Sequence, residues 1–197
     1  MSVESRAFSF ASGLPRELDV SIDRDEIPTE ETPPISLPPH AGDWEITDSA
    51  LCDVTGDGRE EWLLVVWRPW RDWPIMRWLE GKSPITEFRD ETGRSCHLIV
   101  LEPDIGDEIW AGSALPFPIL DMAAGDLDGD GVCEVATIRG VYAKTRSGGR
   151  CGRSCLVDIW EWEGMGFVMK WEPIPGRFSG LSISDQNGDG VADLVLW

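Results

Sequence analysis

The chain has 197 residues and a formal net charge of −19, with 36 acidic side chains against 17 Lys and Arg. That length suffices for one or two domains with a core of their own. The charge excludes nucleic acid as a partner, because a polyanion is repelled by so acidic a protein. No apolar run approaches the roughly 20 residues a helix needs to cross a bilayer, so membrane insertion is not expected.

Residues 1–42 differ in kind from the rest. Their stretch DRDEIPTEETPPISLPPH is acidic and proline-rich, and reads as an extended linker or surface strap, with disorder as the other reading. RAFSFAS and ELDVSI, ahead of it, are candidate strands for completing a sheet begun elsewhere. Met1 to Val20 show no basic stretch followed by an apolar one, so no secretion signal is read there.

Residues 43–197 repeat a unit. WEITDSALC is a candidate strand, followed by the loop DVTGDGREE from Asp53 and the strand WLLVVW. SCHLIVLEP and DEIWAGSA then follow as two more strands. The second unit runs FPILDMAAG, the loop DLDGDGVCE from Asp126, EVATI, CLVDIWEWE and GFVMKWEPI. The third has FSGLSIS, the loop DQNGDGVAD from Asp185, and DLVLW, where the chain stops. The apolar runs after each loop are short and rich in β-branched and aromatic residues, which predicts buried strands. Self-similarity at this spacing is the mark of a repeat architecture. The prediction is an all-β array of four-stranded antiparallel blades, two full and one partial, over 43–197.

The loops carry the chemistry. Each has a carboxylate at position 1, an oxygen side chain at 3, Asp at 5, Gly at 6 and a carboxylate at 9. Alternating side-chain oxygens turn toward one point when the chain curls, and Gly at 6 permits the curl. A cage of hard oxygens suits Ca²⁺. Position 12, where an EF-hand places its bidentate Glu, is Leu64, Thr137 or Leu196, so these are not EF-hands. The expected ligands are Asp53, Thr55, Asp57, the carbonyl of Arg59 and Glu61 in the first loop. In the second they are Asp126, Asp128, Asp130, the carbonyl of Val132 and Glu134, and in the third Asp185, Asn187, Asp189, the carbonyl of Val191 and Asp193. Up to three Ca²⁺ ions are expected. The second loop, with four carboxylates, is expected to bind most tightly, since affinity rises with ligand charge.

These loops resemble those of the FG-GAP/VCBS calcium-binding repeats found in integrin α-subunit propellers and many secreted bacterial proteins. The resemblance implies a β-propeller in which each loop joins the innermost strand of a blade to the next strand. Weak calcium cages of this kind fit a place where calcium is near millimolar, so an extracellular or cell-surface location is expected. Thr55 departs from the usual Asp or Asn at position 3, and the Phe-Gly…Gly-Ala-Pro signature is not evident.

A second surface is expected on the opposite rim. VWRPWRDWPIMRW interleaves Trp67, Trp70, Trp73 and Trp78 with Arg68, Arg71 and Arg77, and the corresponding connector in the second unit carries Lys144, Arg146, Arg150 and Arg153. Arg68, Trp70, Arg71, Trp73 and Arg77 are candidate partner-binding residues, since Trp faces stack on sugars and Arg grips carboxylates. The alternative is that they fold over the blades. Cys151 and Cys155 in CGRSC can close a small disulfide or remain free, while Cys52, Cys96 and Cys133 are expected to act as small buried hydrophobes. His40 and His97 are expected to be isolated from any Ser or Cys nucleophile, and no catalytic constellation is read. The function expected is therefore a calcium-stabilised structural or binding module for a protein or glycan. A lectin-like module for acidic polysaccharide and an accessory blade set of a larger secreted carbohydrate-active enzyme are the alternatives. Open blade edges allow self-association.

Overall fold

The computed structural model describes residues 5–19, 34–71, 88–142 and 155–197. The described residues form three antiparallel sheets, none closed on itself. The strands are β1 (Arg6–Ser9), β2 (Arg16–Leu18), β3 (Glu45–Cys52), β4 (Glu61–Pro69), β5 (Arg94–Leu101), β6 (Glu108–Ala111) and β7 (Ile119–Gly125). They continue with β8 (Glu134–Arg139), β9 (Cys155–Trp162), β10 (Phe167–Met169), β11 (Ile174–Gly176), β12 (Leu181–Ser184) and β13 (Asp193–Leu196). Among the described residues no helix is long and apolar enough to cross a membrane.

The first sheet is the meander β3-β4-β5-β6 and the second is β7-β8-β9-β10, with β11 also paired to β9. The third has the order β12-β13-β1-β2. The third unit is therefore not partial. Its two missing strands come from the N-terminus, where Arg6 pairs with Leu196 and Ala7 with Leu18. RAFSFAS and ELDVSI thus supply strands, while residues 34–44 lie along the first sheet. There Ile35 and Trp44 pack against the Trp62, Leu64 and Val66 face of β4.

The short apolar runs are buried on both faces because each sheet packs on the next. In β4, Leu63 and Val65 point toward Met122 and Val135 of the second sheet. In β8, Val135 joins that layer, whereas Ala136 and Ile138 turn to meet Phe8, Leu194 and Leu196 of the third sheet. Alternation with period two therefore produces apolar side chains on every position of these strands, as for any strand covered on both sides.

The first strands of the three sheets, β3, β7 and β12, lie next to one another in that order. An aspartate bridges each step. The Asp48 Oδ2 accepts from the Met122 N–H at 2.7 Å, and the Asp121 Oδ2 accepts from the Leu181 N–H at 2.8 Å. Burial, and then the neighbouring Asp121 charge, push the Asp48 carboxyl up to about 6.

Cys52 and Cys133 are joined in a disulfide, with 6.2 Å between their Cα atoms, rather than acting as separate hydrophobes. Cys52 ends β3 and Cys133 precedes β8, so the bond links the entrance of the first acidic loop to the exit of the second. The Cys133 N–H also donates to the Asp53 carbonyl at 2.7 Å. Cys96 remains a buried free thiol, as expected, and its burial pushes it up to about 12.

Candidate metal centre

The three loops are one hydrogen-bonded frame made three times. The position-1 aspartate accepts from the N–H groups of the glycines at positions 4 and 6. Asp53 takes Gly56 and Gly58, each at 2.8 Å. Asp126 takes Gly129 at 2.7 Å and Gly131 at 2.9 Å, and Asp185 takes Gly188 at 2.7 Å and Gly190 at 3.0 Å. Both glycines of each loop lie at positive φ, from 73° at Gly56 to 91° at Gly131, a region that penalises a Cβ. The position-5 aspartates Asp57, Asp130 and Asp189 each accept from the position-7 N–H at 2.9 Å.

The acid at position 9 begins the following strand and is buried in all three loops. It accepts from the position-2 N–H: Glu61 from Val54 at 3.0 Å, Glu134 from Leu127 at 2.9 Å, and Asp193 from Gln186 at 2.9 Å. Burial raises the pKa of all three acids, because it penalises the charged form more than these hydrogen bonds relieve it. At the solvent-facing end the opposite holds. The N–H groups of Gly190 and Gly188 hold Asp185 below the usual carboxylate range.

The frame brings oxygens together at two of the loops. Carboxylate oxygens of Asp53, Asp57 and Glu61 lie within 4.8 Å of one another, as do those of Asp126, Asp128 and Asp130. Both groups can hold a metal ion, and their donors are hard oxygens suited to Ca²⁺ or Mg²⁺ rather than to softer metals. In the third loop the position-9 acid is the shorter Asp193, and the Asn187 Oδ1 is turned to the Asp189 N–H at 2.8 Å. Among the described residues, that loop forms no such group.

What lies between positions 3 and 9 differs from loop to loop. In the first, the Thr55 hydroxyl donates to the Glu61 Oε1 at 3.2 Å. A recess of about 290 Å³ opens beside Thr55, Asp57, Arg59 and Glu61. In the second, the ammonium of Lys170 lies 2.8 Å from the Asp128 Oδ2 and 2.7 Å from the Glu134 Oε1. The Asp128 Oδ1 is buried without a hydrogen-bond partner. In the third, Ser9 of β1 lies beside Asp193 and is buried with it.

Neighbouring loops also touch. Val132, at position 7 of the second loop, lies where a Cβ on Gly56 would meet its Cγ2 at 3.0 Å, and Val191 stands in the same relation to Gly129 at 3.2 Å. Glycine at position 4 therefore serves two purposes: it takes the positive φ and admits the next loop.

Of the five candidate partner-binding residues, Arg68, Trp70 and Arg71 lie among the described residues. Arg68 is half-buried, with its Nη2 3.3 Å from the His97 Nδ1. Arg71 is exposed and bonds Asp43 at 2.7 Å. The ring of Trp70 lies under the Arg89 guanidinium at 5.1 Å. Trp73, Trp78 and Arg77 lie outside the described residues, as do Lys144, Arg146, Arg150, Arg153 and Cys151.

His97 is not isolated, contrary to the expectation. Its Nε2 lies 2.7 Å from the Ser95 Oγ, and its Nδ1 lies 2.9 Å from the Gly112 carbonyl. A carbonyl only accepts, so Nδ1 carries the proton and the Ser95 hydroxyl donates to Nε2. Burial, then the Arg68 charge, lower the His97 pKa to about 4. Ser95 is fully buried and His97 nearly so, which keeps substrate from this pair. His40 bonds Glu108 at 2.7 Å.

Between the first and second sheets lies an apolar cleft of about 300 Å³, walled by Trp110, Phe117, Trp160 and Phe167. Arg139 and Asp158 form a bidentate ion pair at its side, and Asp158 is almost wholly buried. No motif in the sequence pointed to this cleft, because its walls come from six separate segments.

No protein-family model matches the chain, and neither does any curated protein sequence. The functional reading therefore rests on the residues themselves.

Proposed function

We propose that the protein is a calcium-stabilised, FG-GAP/VCBS-like structural or binding module built from three propeller-type blades. The observation that carries this reading is the acidic loop, repeated three times on one hydrogen-bond frame, with a buried acid at its end. Clustered carboxylates repel one another and pay a burial penalty, and a dication bound among them relieves both. Bound calcium would be held by Asp53, Asp57 and Glu61 in the first loop, joining the turn between two strands to the core. The ion supplies charge neutralisation and rigidity there, and no reaction is assigned to it.

Two further observations support the rest of the reading. The Cys52–Cys133 disulfide favours an oxidising compartment outside the cytosol, where calcium is abundant enough for modest-affinity loops. The aromatic cleft beside Arg139 favours a module that takes a partner's apolar group. No reaction is assigned to the Ser95–His97 pair, which is buried and whose imidazole faces a carbonyl instead of an orienting carboxylate.

Thermal melting of the full chain in millimolar calcium and in chelator tests the reading. A ligand at a hundred times its dissociation constant stabilises the folded state by about 2.7 kcal/mol, which corresponds to about 5–10 °C for a chain of this size. Coincident melting curves would overturn it.

A further inference from the structure

The four carboxylates of the second loop rank it first for calcium by charge count, yet a cation from the chain itself already reaches into it. Lys170 follows β10 and precedes β11. Its N–H still bonds the Ile159 carbonyl of β9 at 2.9 Å, so its backbone stays at the edge of the second sheet. The strand is then interrupted, and pairing resumes only at Ile174.

From this point the Lys170 side chain runs to the acidic loop. Its ammonium meets Asp128 at 2.8 Å, Glu134 at 2.7 Å and Glu161 at 3.5 Å. It also lies 5.2 Å from the centre of the Trp171 ring. The side chain is 15% exposed, and Glu134 is 1% exposed. An ammonium offers three donors at hydrogen-bond length, and here two of them meet acids at positions 3 and 9, the residues expected to complete the cation cage. Among the described residues, no lysine or arginine pairs with the position-9 acid of either other loop. Thr55 spans the same two positions in the first loop with a neutral hydroxyl.

We propose that Lys170 is the resident cation of the second loop, so that the first loop is the tight calcium site and the second is filled by the chain's own ammonium. This inference rests on the calcium reading of the loops. A metal entering the second loop must either displace Lys170 or manage with Asp126, Asp130 and the remaining oxygen of Asp128, without Glu134. A buried carboxylate already paired with an ammonium gains less from a dication than one paired with a hydroxyl, and the nearby positive charge repels the ion. The order of affinities is therefore reversed from the order of carboxylate counts.

Calcium titration calorimetry on the full-length wild type and on Lys170→Met tests this. Methionine keeps an unbranched apolar stem of similar reach and removes the charge. The expected result is one tight calcium ion for the wild type, and for Lys170→Met a second tight ion, or a second binding step at least tenfold stronger. Identical isotherms with clear binding in both would overturn the inference while leaving the calcium reading intact. No binding in either protein would overturn both. A second measurement needs no variant and holds if Lys170→Met fails to fold. Reductive methylation read by mass spectrometry should find Lys170 protected in the wild type, both in chelator and at the calcium level that fills the tight site. Labelling of Lys170 as that site fills would show its displacement and overturn the inference.

Discussion

In the first acidic loop a threonine hydroxyl joins position 3 to the buried Glu61; in the second, a lysine ammonium joins Asp128 to the buried Glu134. The frame beneath these links is shared. Both loops fold around a position-1 aspartate that gathers two glycine N–H groups, and both end on an acid whose burial raises its pKa. The frame follows from local sequence, because carboxylates and glycines at fixed spacing suffice to make it. The filling does not, because Lys170 lies far along the chain from Asp128. Two sites of nearly identical sequence pattern thus differ in the charge that a metal meets on entry.

The two loops are also tied to each other, and cutting the tie is the largest perturbation we expect. Cys52 and Cys133 are separated by 81 residues, so their disulfide closes a long loop in the unfolded chain. By the loop-closure argument, Cys52→Ser with Cys133→Ser should cost about 4.5 kcal/mol. Urea unfolding of the oxidised wild type and of the double variant measures it. A loss below about 1 kcal/mol would mean that the contact of Val132 with Gly56 and the bond from Cys133 to Asp53 already hold the loops together.

A smaller effect sharpens the comparison at the strands beneath the loops. Asp48 joins the first sheet to the second, and its carboxyl is raised to about 6. The folded state therefore holds this proton more tightly than the unfolded chain does. The contribution of Asp48 is most favourable below about pH 4 and is lost as pH rises to 6. Asp48→Asn keeps an oxygen for the Met122 N–H and removes the charge beside Asp121. Because Asp48 is only half-buried, the gain expected at pH 7 is about 1 kcal/mol, vanishing near pH 4. His97 slopes the other way: lowered to about 4, it costs stability as pH falls from about 6.5. Removing Asp48 should thus leave a fold that weakens on acidification more steeply than the wild type. Parallel pH profiles for the two proteins would contradict the assignment of this proton.

The same contrast between local and distant causes explains what was legible in the sequence. The strands around each loop could be read because alternation and β-branched residues mark them locally, as in WLLVVW and DLVLW. The N-terminal strands were visible only faintly, since three or four residues such as REL carry little pattern, and β1 is fixed by pairing with β13. GFVMKWEPI reads as one strand by its apolar content. The structure divides it into Phe167–Met169 and Ile174–Gly176, and the break directs Lys170 to the loop. Pro173 and Pro175, which have no N–H to give a ladder, were the available signal for that break. The pairing of Cys52 with Cys133 had none, because only the nesting of one loop against the next brings them together. Asp48 and Asp121 read as ordinary polar positions in their strands, and their role appears only when the three first strands lie side by side.

Calcium bound in the first loop, as proposed, would stabilise the folded chain. Asp57→Asn tests it most directly. Asparagine keeps the side-chain oxygen that accepts from the Arg59 N–H, so the loop frame survives, while the charge offered to the ion falls by one. The measurement is the rise in melting temperature on going from chelator to millimolar calcium, for the wild type and for Asp57→Asn. The account predicts a rise of about 5–10 °C for the wild type and the loss of most of it in the variant. A full rise in Asp57→Asn would place the stabilising ion elsewhere and contradict the account.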